Sequence, residues 1–226
     1  MTRRQILVGL GTLVLVVLSI SAWFLLSPSP DIATATSTDN PGFVLSADDR
    51  SLGNPKAPIV LIEYGALTCP HCAAFEMQYF LVLKANYIDT GKVLYVFRVY
   101  PVHPGDGPAE KLASCLPKDR YLGFIDLLFR NQPKWDADDY PEADIHAGLI
   151  QMGRIAGMSE AQIDACITST AEDDRINKVG ADGEARYHLT GTPTFVVDGV
   201  PGPGGEPWSS VQRRLDAALI AKNAAH

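Results

Sequence analysis

The sequence is poor in cysteine and in positive charge, and it carries no internal repeat. Four cysteines among 226 residues exclude a disulfide-dense miniprotein, and 19 glycines without a regular period exclude a collagen-like chain. With 46% apolar residues the chain is not wholly disordered, and its length suits one domain with room for an inserted subdomain. Basic residues number 19 against 26 acidic ones. Arg3 and Arg4 are the only charged residues before residue 28, so the remainder carries 17 basic and 26 acidic side chains, a net charge of −9. Such a surface repels phosphate backbones and has no basic stripe, which argues against a nucleic-acid partner.

Charge is also missing from Ile6 to Leu26, a run of 21 residues interrupted only by Gly9, Gly11, Thr12, Ser19 and Ser21. As a helix rising about 1.5 Å per residue it would reach about 32 Å, close to a hydrocarbon core of about 30 Å. A core helix rarely lacks any charged face. A cleaved signal peptide competes, because a positive start, an apolar stretch and Ala33-Thr34-Ala35 resemble its three parts. The apolar stretch is longer than the signal core of about 7–15 residues, so a retained membrane anchor over residues 1–27 is the favoured expectation. Thr2-Arg3-Arg4-Gln5-Ile6-Leu7 also looks like a twin-arginine signal. The preferred account is simpler: two arginines hold this end in the cytoplasm. On either account the bulk of the chain lies outside the cytoplasm, on the periplasmic side of the inner membrane or, if cleaved, soluble there or secreted. Residues 28–42, rich in Ser, Thr, Pro and Ala without apolar periodicity, read as a flexible linker, and the folded domain is expected over 43–226.

Within that domain Ile59-Val60-Leu61-Ile62-Glu63-Tyr64 reads as a buried strand. Pro70 suits a first helical turn, and apolar residues from Ala73 to Tyr87 predict one helix to about Asp89, stopped by Thr90-Gly91-Lys92. Val93 to Tyr100 is a second strand, completing a βαβ unit. Residues from about 105 to 188 are mainly helical, with apolar faces at Leu122, Ile125, Leu128 and Phe129 and at Ile145, Leu149, Met152 and Ile155. Ser159-Glu160-Ala161-Gln162 is a capping-box signature. Thr194-Phe195-Val196-Val197 is a third strand, Asp198-Gly199 a turn, and Trp208, Val211, Leu215, Ala218 and Leu219 mark a closing amphipathic helix. The order βαβ, helical block, ββα predicts an α/β fold with a central sheet and helices on both faces.

The chemistry concentrates at Cys69-Pro70-His71-Cys72, between a strand and a helix. Two cysteines at this spacing can close a small disulfide ring. The helix N-terminus favours an anion, so Cys69 should ionise far more readily than a free thiol with a pKa of about 8.5. His71 adds a donor and, when protonated, a cation beside it. A stabilised thiolate makes the disulfide a stronger oxidant, so the expected task is disulfide donation. Half of a zinc site is the alternative, but Cys115 and Cys166, 51 residues apart, lack the paired ligand spacing that a structural zinc needs. A purely structural disulfide within the tetrad is a further alternative. No metal and no cofactor are expected.

Gly53-Asn54-Pro55-Lys56-Ala57-Pro58, Glu63-Tyr64-Gly65, Cys69-Pro70-His71-Cys72 and Gly191-Thr192-Pro193-Thr194-Phe195 together resemble the DsbA-like thiol:disulfide oxidoreductases of the thioredoxin superfamily. The similarity spans roughly residues 48–222. It implies a thioredoxin-like fold with an inserted helical subdomain, an exposed nucleophile at Cys69 and a buried resolving partner at Cys72. It makes Pro193 a cis-proline, with Thr192 beside the dithiol, where its backbone pairs with an extended substrate. It places Glu63 near the buried cysteine as a proton relay; a water-lined edge position is the alternative, since a carboxylate in an apolar strand must be solvated, paired or protonated. Arg98 and His103 also resemble the family's pattern, but no role follows, except that Arg98 could pair with a buried acid. In an exported domain the leftover Cys115 and Cys166 are expected to form a second disulfide, the alternative being two separate thiols. Phe75, Met77, Trp135 and Trp208 belong to the core or to the rim of a shallow client groove.

Three functions remain open on these residues. The first is an oxidase that introduces disulfides into exported proteins, with reduced or unfolded clients and a membrane partner that re-oxidises it. The second is a reductase or isomerase on the same fold, and the third a chaperone that uses the dithiol to sense redox state. A monomer is expected, since nothing signals an obligate dimer.

Overall fold

Seven consecutive buried residues must pair every backbone N–H and C=O, and the β-branched run Ile59–Gly65 does so as strand β2, between two neighbours in the sheet. The computed structural model describes residues 45–46 and 48–224. The anchor expected at 1–27, the linker expected at 28–42 and the domain start at Phe43 lie outside the described residues. Among the described residues no helix is long and apolar enough to cross a membrane.

Strand β3, Val93–Val99, lies parallel to β2, with Ile59 opposite Val93 and Gly65 opposite Val99. A parallel pair needs a crossover. Helices α1, Pro70–Gln78, and α2, Phe80–Leu83, supply it together with a π-helical turn at Lys84–Ile88. Strand β4, Thr194–Val197, pairs antiparallel with the other side of β2, placing Glu63 opposite Phe195. β1, Arg50–Leu52, and β5, Val200–Pro201, extend the edges to give the order β1-β3-β2-β4-β5. Asp198 and Gly199, both at positive φ, make the tight turn between β4 and β5.

Three details of the sheet and its first crossover differ from the sequence expectation. β1 was not expected, because Arg50-Ser51-Leu52 is too short to show an alternation; its pairing with β3 creates it. β3 ends at Val99, one residue before Tyr100. The single helix expected from Pro70 to about Asp89 breaks at Tyr79, whose φ of −125° leaves the helical region. Tyr79 stacks on Trp208 while Phe80 meets Tyr95 edge to face, so adjacent residues serve different neighbours. The wider π turn then rotates Tyr87 and Ile88 into the core.

Between β3 and β4 the chain inserts α3, Asp106–Ser114; α4, Lys118–Arg130; α5, Gln132–Trp135; α6, Ile145–Ile155; α7, Glu160–Thr168; and α8, Asp173–Tyr187. Ser159 and Gln162 form the capping box that starts α7. Ile155 is not part of the α6 core face but 58% exposed, because contact with α7 runs through Gly153, which lies against Ile163, and α6 ends two residues later. Helix α9, Trp208–Ala224, closes the fold on Trp208, Val211 and Leu215.

Alternation along β2 divides the interior. Ile59 and Leu61 face the larger core, with Cys69, Cys72 and most of the helical insertion. Val60, Ile62 and Tyr64 face the smaller one, with Tyr187, Leu189 and Val179. Helices therefore cover both faces of the sheet. Glu63 shares the parity of Ile59 and Leu61, so a carboxyl enters the core that contains the two cysteines.

Candidate active site

β2 ends where the chain must turn into α1, and Cys69 occupies the N-cap of that helix with extended backbone, φ −73° and ψ 119°. Pro70 follows in the first turn, where a missing N–H leaves no bond unmade. The Cys69 and Cys72 thiols are free in this structure. Cys69 loses its proton at about 5, first because the Cys72 side chain donates a hydrogen bond to its thiolate. Burial opposes the shift, while the Thr192 side chain and the backbone N–H groups of Cys72 and His71 reinforce it. In the protonated form Cys69 Sγ–H points to the Thr192 carbonyl at 3.4 Å, which favours the thiol; the donors to the thiolate outweigh it. His71 thus acts on Cys69 through its backbone, and its exposed ring lines a cavity beside the dithiol.

Cys69 was expected to be exposed, yet only 8% of it is accessible, against none of Cys72. Thr192 lies against the Cys69 sulfur and accounts for the difference. Cys72 is pushed well above the ordinary thiol range, chiefly by burial, and further by its neighbours Cys69 and Glu63. The dithiol is therefore asymmetric, with one sulfur stable as an anion and the other stable as a thiol.

Glu63 is 1% exposed, which rules out the water-lined edge. Tyr95 Oη–H donates to Glu63 Oε2 at 2.8 Å. Burial still drives this carboxyl well above the carboxylate range, assisted by Glu76 and Cys69 and opposed by the Tyr95 bond. Glu76, on α1, is itself raised to about 8 by burial and by Asp126, with Arg130 opposing. Glu63, held protonated, thus lies beside Cys72, and Glu76 acts in turn on Glu63.

The loop that presents Cys69 is braced from the helical insertion. Asp106, fully buried, accepts from Thr68 N–H at 2.8 Å and from Val102 and His103 N–H at 2.8 and 2.9 Å. Gln132 Nε2 donates to the Leu67 and Cys69 carbonyls at 2.8 and 3.1 Å. On the opposite side Thr192–Pro193 is a cis peptide. Beside it opens a cavity of about 150 Å³ whose lining includes His71, Phe75, Tyr79, Pro193, Glu206 and Trp208.

Cys115 and Cys166 lie away from this site and are joined to each other, so they do not complete a zinc site with Cys69 and Cys72. Arg98 forks onto Asp49 at 2.8 Å through both Nε and Nη2 and also donates to Tyr64 Oη. His103 is an exposed loop residue with Nδ1 3.8 Å from Asp138. Phe75 and Trp208 line the cavity, Trp135 is wholly buried, and Met77 is exposed. Sequence reasoning missed Glu76, Tyr95, Asp106 and Gln132. Glu76 had a signal: it stands four residues after Cys72 and so shares its helix face. Asp106 and Gln132 had none, because their partners are backbone groups distant in sequence.

Comparison with known proteins places this geometry. A family model described as Thioredoxin matches residues 46–217. A Rickettsia typhi protein, provisionally named as a protein-disulfide oxidoreductase, is 31% identical over 182 residues, covering 78% of this chain and 64% of its own. Across five such Rickettsia relatives the chain spans 57–64% of their length. The crystal structure of Wolbachia pipientis alpha-DsbA1 superposes with a TM-score of 0.73 at 26% identity, covering 83% of this chain and 99% of that one. Oxidised BdbD from Bacillus subtilis shares the fold at 20% identity and a TM-score of 0.67, covering 76% and 93%.

Proposed function

The chain belongs to the thioredoxin family, among its DsbA-like members, and from that premise we propose that it is an exported thiol:disulfide oxidoreductase that introduces disulfides into other exported proteins. The observation that carries the proposal is the asymmetry of the dithiol, with Cys69 ionising at about 5 and Cys72 held well above the thiol range. In disulfide exchange the better leaving group departs faster. A disulfide whose release yields so stable an anion is one that readily gives itself to a client.

The cycle starts from the Cys69–Cys72 disulfide. A client thiolate attacks Cys69 Sγ, forming a mixed disulfide and breaking the internal bond, so that Cys72 leaves with the electron pair. Cys72 is too deeply buried to persist as an anion and takes a proton, for which Glu63, protonated and close enough to raise its pKa, is the relay. A second client thiolate then attacks the client sulfur of the mixed disulfide and expels Cys69 as thiolate. The client has lost two electrons and two protons. The enzyme holds both electrons, with one proton on Cys72 and the other released to solvent. Thr192 and Pro193 hold the client as an extended strand, and Pro70 and His71 set the helix start and its donors.

The apolar run at 6–26 supports anchorage to the membrane, with the catalytic domain in the envelope. Clients are reduced or unfolded exported proteins, and a membrane oxidase restores the disulfide. No observation favours the reductase, isomerase or chaperone readings. Equilibration with glutathione is the test. A potential near about −120 mV agrees with an oxidase, whereas one near about −270 mV, as for thioredoxin, removes that reading.

A further inference from the structure

The peptide between Cys69 and Pro70 has a single polar handle. Proline brings no N–H, so only the Cys69 carbonyl can be gripped to fix how that peptide is turned. Two donors hold it. Ala73 N–H closes the first turn of α1 on it at 3.1 Å. Gln132 Nε2, from the helical insertion, reaches the same oxygen at 3.1 Å and the Leu67 carbonyl at 2.8 Å. Both neighbours are acceptors, so the amide can present only its nitrogen to them. Between them the Thr68 N–H is held by Asp106.

Gln132 is itself firmly placed. It is 2% exposed and opens α5, and residues flanking and ending that short helix tie it to α4. Asn131 Nδ2 donates to the Leu127 carbonyl at 2.8 Å, and Trp135 Nε1 donates to the Leu128 carbonyl at 2.9 Å. The donor that meets Cys69 is therefore fixed in advance by the insertion.

The turn of this peptide matters to the sulfur. The N–H groups of His71 and Cys72 lie in the first turn of α1, where the helix offers them no acceptor, and they favour the Cys69 thiolate. The ring of Pro70 fixes its own φ, so any rotation of the Cys69–Pro70 peptide carries the start of the helix with it. In the disulfide there is no anion for those N–H groups to meet. A grip on the Cys69 carbonyl thus favours the reduced form over the oxidised one.

We propose that Gln132 is a positioning residue for disulfide exchange: by fixing the Cys69–Pro70 peptide it keeps the first N–H groups of α1 aimed at the Cys69 sulfur, and so lets the helical insertion set the oxidising strength of the dithiol. The inference rests on the reading of the dithiol as a disulfide donor and adds the residue that tunes it.

The test uses the full chain carrying Gln132→Met, which keeps the length of the side chain and removes its donors. Thiolate absorbance of the reduced protein should show the Cys69 pKa rising from about 5 by about one unit. The equilibrium with glutathione should shift by about tenfold towards the disulfide, because the leaving anion is less stable. In urea the reduced protein should lose more stability than the oxidised one, whereas loss of a purely structural bond weakens both alike. Ile163→Ala is the control: Ile163 is wholly buried against Gly153, between α7 and α6, and its truncation removes no donor from the loop. It should lower stability in both redox forms and leave the pKa and the glutathione constant unmoved. An unchanged pKa and glutathione constant in Gln132→Met, or equal shifts in Ile163→Ala, would overturn the assignment while leaving the exchange reading intact. A wild-type Cys69 that titrates as an ordinary thiol would remove both.

Discussion

At the residue scale the site is a problem of where two protons sit. Cys69, with a pKa of about 5 in the fold, lies below an unfolded thiol of about 8.5. Its thiolate therefore stabilises the reduced protein fully above about 8.5, and this contribution disappears as pH falls through about 5. Urea unfolding of the reduced protein should show a midpoint that drops across this window relative to a Cys69→Ser protein, and thiolate absorbance should titrate in the same range. An ordinary titration near 8.5 would remove the basis of the oxidant reading. Glu63 makes a separate prediction. Its carboxyl is held protonated, so Glu63→Gln preserves charge and shape while removing the proton it can give. Single-turnover oxidation of a dithiol peptide should slow by about 10²-fold if that proton goes to Cys72, and an unchanged rate would leave Glu63 a structural residue. Glu63 was legible in the sequence because an acid inside an apolar strand is conspicuous. Glu76 was much less so: its burial depends on α4, which supplies the nearby Asp126 and Arg130. Above the unfolded carboxyl value of 4.5, raising pH ionises Glu76 in the unfolded chain before the folded one, up to about 8. Stability is therefore lost with rising pH across that window, by at most about 1.4 kcal/mol per pH unit, and Glu76→Gln should flatten the profile.

At the scale of elements, the strands and the start of α1 were readable because their patterns are local: β-branched runs for β2 and β3, proline and the tetrad for the helix start. The end of that helix was not. Tyr79 breaks it because Trp208, more than a hundred residues later, takes its ring, and no local pattern carries that information. β1 was hidden for the same reason, since three residues acquire strand geometry only from β3. The strut between the active-site loop and α3 belongs to this class as well. Asp106, the first residue of α3, gathers the N–H groups of Thr68, Val102 and His103 onto one carboxylate. Asp106→Ala leaves the buried Thr68 N–H without an acceptor and frees the loop at Val102 and His103, and it should lower stability by about 2–3 kcal/mol in urea unfolding. Because Thr68 precedes Cys69, the same variant should raise the Cys69 pKa by loosening the thiolate donors. Asp106→Asn, which keeps one acceptor, should do less on both counts.

At the scale of the whole molecule the helical insertion packs as a unit and braces the loop that presents Cys69. Its extent, from about residue 105 to 188, was legible from the gap between the second and third strands, but the arrangement of its helices was not, because apolar faces alone do not say which helix meets which. A covalent tie contributes to that choice. The Cys115–Cys166 bridge joins the end of α3 to α7 across 51 residues of sequence. Cys115 is exposed and Cys166 half-buried, so replacing both by alanine opens little cavity and the effect should lie in the unfolded chain. Releasing a loop of this length restores conformational freedom worth about 4 kcal/mol in the chain-entropy treatment. The Cys115→Ala/Cys166→Ala protein should therefore unfold at lower urea, and with a steeper dependence on urea, because its unfolded state is more expanded and exposes more surface. A lower midpoint with unchanged slope would place the stabilisation in native contacts of the bridge instead, and no change in either would show that α3 and α7 hold together by their apolar contacts alone.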